Sequence, residues 1–164
     1  LTKLNIPCYL SWKSRYFVPK PLRKYFTFFS ESGSSKFSHD ITVDVGLSAT
    51  VTYTALQFAY FMEADPIILV GVDHNFSFDG NPNEYKKRKG KDINHFDPNY
   101  FQKGKYWGIP DLILSEKGYR NAKEAFERSG KEIYDATVDG KLNIFKKISI
   151  EEALRIIKKK ITEI

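Results

Sequence analysis

The chain has 164 residues, 41% of them hydrophobic and 28% charged, with a net charge of +6 at pH 7. That length supports one domain with a core of its own, and no apolar run approaches the roughly 20 residues of a membrane-spanning helix. The start, "LTKLNIPCYLSWKSR", carries neither the long apolar stretch nor the cleavage site of a signal peptide, and it lacks a first Met, as a fragment or processed chain would.

Cys8 is the sole cysteine, so an internal disulfide and a cysteine-based zinc site are both excluded, and a reducing, cytoplasmic setting is expected. A charge of +6 favours anionic partners but is too modest to single out nucleic acid, so no nucleic-acid partner is expected.

In chain order, 6–11 ("IPCYLS") and 23–30 ("RKYFTFFS") read as short strands, and 40–46 ("DITVDVG") as a third strand or an extended lead-in. A helix follows from 48 to about 62, with Ser48 as its N-cap. Val51, Ala55, Phe58, Ala59 and Met62 share one face, while Tyr53, Leu56, Tyr60 and Phe61 fill the others, the pattern of a buried helix. The hydroxyls near its start, with the free amides of the first turn, suit an anion.

The run "PIILVGVD" (66–73) reads as a central parallel strand covered on both faces. A helix over 115–130 buries Tyr119, Ala122 and Phe126 and stops at Gly130. A strand over 131–138 comes next, then a turn and another short strand over 139–145. A last helix over 149–164 opens with a capping box, Ser149 and Glu152, and carries the stripe Ile150, Ala153, Leu154, Ile157 and Ile161. This order predicts an α/β, Rossmann-like three-layer domain with a mostly parallel sheet, or the C-terminal part of a larger one.

The connection 74–114 is far longer than an ordinary strand-to-helix loop, and loops of that length are typically lids or binding loops. It begins where "GVDHNF" (71–76) puts Asp73, His74 and Asn75 at the carboxyl end of the central strand, the place where open α/β sheets hold ligands. Within it, "KDINHFDPNYF" (91–101) gathers Asp92, Asn94, His95, Asp97, Asn99 and Tyr100. An imidazole is a competent base near neutral pH, and a carboxylate can orient it. Asp73, His74, His95 and Asp97 offer metal ligands as a rival reading, without any fixed metal-binding spacing. Asn94 and Asp97 can simply cap turns around Pro98, and for each polar residue taken singly such a structural role is the better explanation; for the set gathered in one loop it is weaker. The basic stretch "YKKRKGK" (85–91) suits phosphates of a nucleotide or lipid donor and peripheral contact with a membrane surface, though such runs are more often solvated loop tips.

"SATVTYTALQFAYFMEADPIILVGVDHNF", "DINHFDPNYF" and "KEIYDATVDGKLNIFKKISIEEAL" resemble the 6-hydroxymethylpterin diphosphokinase MptE-like family of bacteria and archaea, over about residues 40–155. That family is in turn loosely similar to the sialyltransferases of glycosyltransferase family 42, which use CMP-activated sugars. The segments "SAT" (48–50) and "GVD" (71–73) and His95 stand where those enzymes have a helix start, a strand–Gly–x–Asp segment and a histidine base. Ser48-Ala49 replaces the family's Gly-Gly pair, and its upstream "GNGPSL"-type nucleotide-binding segment has no counterpart among these residues, as if the chain began after it or had lost it.

The resemblance implies a glycosyltransferase in surface polysaccharide or lipopolysaccharide biosynthesis, with a nucleotide-sugar donor, a glycan acceptor and no required cofactor. Its implied roles are His95 as base; Tyr100 and Tyr106 on the leaving phosphate; Ser48 and Thr50 on the donor; Asp73 and His74 at the floor; and Asn75 and Asn94 beside the substrate. Two alternatives stay open: an MptE-like pyrophosphokinase using ATP and Mg2+, with Asp73 and Asp97 as ligands, and a non-catalytic carbohydrate- or partner-binding module.

Overall fold

In the computed structural model the described residues are 6–87 and 106–162. Strand β1 (Tyr9–Ser11) leads through two 3-10 turns, Trp12–Tyr16 and Lys20–Tyr25, into β2 (Thr27–Phe29). Helix α1 (Val51–Phe61), β3 (Ile67–Leu69), β4 (Tyr85–Lys87) and β5 (Tyr106–Gly108) follow. The chain continues with α2 (Leu112–Arg128), β6 (Ile133–Asp135), β7 (Lys146–Lys147) and α3 (Ile150–Thr162).

The class is α/β with parallel pairing, as expected. β1 and β2 run parallel with Tyr9 opposite Thr27. The pair β3–β6 is also parallel, Ile67 facing Ile133 and Leu69 facing Asp135, and β7 extends it on the far side of β6. Inside the long connection, β4 and β5 make an antiparallel pair. Among the described residues no sheet closes into a barrel. Of the predicted strand at 40–46, a single parallel bridge between Val45 and Glu31 is formed.

The core lies between α1, α2 and the β3–β6 pair. Tyr53 and Leu56 from α1, Tyr119, Ala122, Ala125 and Phe126 from α2, and Leu69 and Ile133 from the strands form one buried cluster. The Leu, Ile and Phe side chains among them each contribute about 1.5–3 kcal/mol on burial.

The α1 face is a correction to the sequence reading. Tyr53, Leu56, Gln57 and Phe58 are buried, whereas Val51 is 81% exposed and Met62 62%. The cap is also corrected: Thr50, not Ser48, accepts from the Thr52 amide. Ser48 is buried and donates its hydroxyl proton to the Leu114 carbonyl, which ties the start of α1 to α2.

Strand β3 stops at Leu69, short of the predicted 73, because Gly71 (φ +74°) and His74 (φ +50°) turn the backbone into the left-handed region. Helix α2 starts three residues before Ser115, capped by Asp111, whose Oδ1 accepts from the Leu114 amide at 2.9 Å. Of the turn and short strand expected over 139–145, the turn forms but the strand does not: Leu142 and Phe145 enter the core, and pairing resumes only at Lys146. Fully buried Asp135 anchors this return. Its Oδ2 accepts from Lys147 Nζ at 2.6 Å and its Oδ1 from the Thr137 amide at 2.8 Å.

Helix α3 keeps the expected start, with Ser149 Oγ accepting from the Glu152 amide at 3.1 Å. Its stripe is not a core stripe: Ala153 is buried, but Ile150, Leu154, Ile157 and Ile161 remain exposed. No helix among the described residues is long and apolar enough to cross a membrane.

Candidate functional site

Two backbone segments meet where β3 ends. One is 49–52, the entry to α1. The other is 71–76, released from β3 by the left-handed turns. With Pro110, Leu112, Ser115 and Tyr119 they enclose a cavity of about 290 Å³. It lies beyond the carboxyl end of a parallel strand, as expected for an open α/β sheet.

Of the residues singled out from the sequence, Thr50, Asp73, His74 and Asn75 line this cavity. Ser48 does not; it sits beneath the α1 entry and borders a second, apolar groove. Tyr106 lies on β5, exposed and outside the cavity lining. His95, Asn94 and Tyr100, with Asp92, Asp97 and Asn99, fall outside the described residues, as do Arg88, Lys89 and Lys91 of the basic stretch.

The floor is held from below. The Val72 amide donates to Thr137 Oγ1 at 3.1 Å, and the Lys141 amide donates to the Asp73 carbonyl at 2.7 Å. The loop after β6, fastened by Asp135 and Lys147, therefore sets the height of the Asp73 segment. Ala49 and His74, both cavity-lining, hold positive φ of +48° and +50°. Neither type adopts that region without cost, and such strain concentrates where a backbone must present groups to a ligand.

The His74 side chain is only 8% exposed. Its Nε2 stands 3.4 Å from Glu116 Oε1, and its ring meets Tyr119 edge-on at 6.1 Å. Glu116 is steadied by Arg120 at 3.0 Å. A carboxylate facing Nε2 favours the proton there and leaves Nδ1 as acceptor, the arrangement of an oriented acid–base imidazole. Across the cavity the hydroxyls of Tyr119 and Thr50 lie 3.3 Å apart. The site thus offers hydroxyls, an imidazole with its carboxylate, a second carboxylate and an amide: groups that recognise a hydroxyl-rich ligand and move a proton on it.

Glu116 and Tyr119 were not identified from the sequence as site residues. Their signal was faint: they lie in the first two turns of a helix that starts beside the strand end. Among the described residues Asp73 is the one acidic side chain in the cavity lining. Among the described residues no three His, Cys, Asp or Glu side chains gather as a metal-holding group.

No family model matches the chain, and neither a curated protein nor a solved structure matches it.

Proposed function

We propose that this chain is a nucleotide-sugar-dependent glycosyltransferase of Rossmann-like three-layer architecture, or the ligand-binding part of one, acting in surface polysaccharide synthesis. One observation carries the reading: Thr50 and the contiguous Asp73, His74 and Asn75, from two segments distant in sequence, line a single cavity at the carboxyl end of β3. The segment resemblances to MptE-like proteins and family 42 sialyltransferases supply the rest.

In this reading the start of α1 and Thr50 hold the donor through its negative charge, while Asp73 and Asn75 bind sugar hydroxyls. The cavity of about 290 Å³ suits the sugar and its first phosphate rather than a whole nucleotide-sugar. His95 deprotonates the acceptor hydroxyl. His74, held by Glu116, orients the transferred group and is the reserve base.

The test is turnover of CMP-, UDP- and GDP-activated sugars with a glycan acceptor. Loss of the base is expected to lower turnover about 10²–10⁴-fold in His95→Ala. His74→Ala is expected to lower it less and to weaken donor binding. Unchanged turnover in His95→Ala removes the base assignment, and transfer from none of the donors removes the transferase reading. Magnesium-dependent ATP binding through Asp73 would instead support the pyrophosphokinase.

A further inference from the structure

Beside the polar cavity lies a second hollow of a different character. It measures about 730 Å³ and runs between the outward face of α1 and the β1–β2 pair. Val51, Ala55 and Met62 line the helix side, and Tyr9, Leu10 and Phe29 the strand side. Phe58 is its floor, with Tyr9 at 4.9 Å and Phe29 at 5.4 Å, both edge-on. That packing makes the floor rigid, while Val51 and Met62 on the wall stay uncovered.

Two features say what fits there. Among the described residues the groove presents no unpaired charge: the acidic or basic residue in its lining is Glu31, whose carboxylate meets Lys13 Nζ at 2.7 Å. Hydrogen bonds from Lys13 and then Ser11 hold that carboxyl below its ordinary range, so it stays an ion pair rather than an acid waiting for a basic ligand. The groove also adjoins the polar cavity at the start of α1, where Ala49 and Thr50 border both. One molecule can therefore round the start of α1, with its polar end among Thr50, Asp73, Asn75 and Tyr119 and an apolar tail along Val51, Ala55 and Phe58.

We infer that the groove and the cavity together bind a single-chain amphiphile, a glycolipid-like molecule with a hydroxyl-rich head and a hydrocarbon tail. This goes beyond the proposed transfer reaction, and it uses the same cavity: the head takes the place which that reading gives to the donor sugar.

The experiment titrates the chain with alkyl β-glucosides from hexyl to decyl, below their micellar concentrations, by calorimetry. Affinity is expected to rise about two- to fourfold for each added methylene. Val51→Glu and Ala55→Glu put a charge on the groove wall at exposed helix positions; at Val51, in the first turn, Glu favours the helix, and at Ala55 Glu is a good helix former. Each variant is expected to keep its circular dichroism and lose the chain-length dependence. Affinity that ignores tail length overturns the inference, as does unchanged dependence in both variants. So does concentration-dependent dimerisation of the wild type that either variant abolishes, because a second copy would then cover the groove. Failure here leaves sugar-nucleotide turnover untouched, so the two readings are separable.

Discussion

Gln57 does not reach the cavity, yet the segment that delivers Thr50 depends on it. The side chain is fully buried. Its Oε1 accepts from the Gly46 amide at 2.8 Å and the Ser38 amide at 3.0 Å, and its Nε2 donates to the Gly46 and Tyr53 carbonyls at 2.9 and 3.2 Å. One amide thus satisfies backbone groups that could not otherwise be buried. Gln57→Leu keeps the volume and orphans those groups, so a loss of about 2–4 kcal/mol is expected in urea unfolding; a loss under about 0.5 kcal/mol would contradict the account. Asp73, His74 and Asn75 were legible because a Gly–x–Asp after an apolar run marks a strand end. Gln57 was not: a lone glutamine among apolar residues looks like a surface position until its partners, 11 and 19 residues away, are in view. Glu116 escaped for the same reason, its partner His74 lying 42 residues upstream.

At the scale of elements, the crossing of α1 entry and α2 is set by Gly118. A Cβ there would overlap the Ser48 side chain and stand 3.0 Å from Tyr53 Cγ. Gly118→Ala gains about 1 kcal/mol of helix propensity, but overpacking costs about 1–3 kcal/mol, and Ser48 Cβ, fixed to its own backbone, yields less than the tip of a long side chain. The expected outcome is a net loss of stability with shifted amide signals at Ala49 and Thr50. A more stable variant with unmoved signals would refute the close crossing. The helices themselves were legible from their periodicity, but their faces were less so. Helix α1 carries two apolar stripes at 3.6 spacing, and only α2, which takes Tyr53 and Leu56, decides which goes inward. Strand lengths failed for a local reason, since the left-handed turns at Gly71 and His74 end β3 early and become the site's floor.

For the whole molecule, the order of helices and strands was enough to predict α/β class and parallel pairing, because a strand–helix–strand unit leaves few alternatives. The parallel partnership of β1 and β2 across two 3-10 turns had no such rule behind it, and it walls the apolar groove. The central claim is that the hollow between the α1 entry and segment 71–76 receives the ligand. Amide NMR during titration with nucleotide-sugars tests it most directly. The account predicts saturable shifts at Thr50, Thr52, Gly71 to Asn75 and Tyr119, weakened in Asp73→Ala. Saturable shifts confined to other surfaces, or none at millimolar ligand, would contradict it.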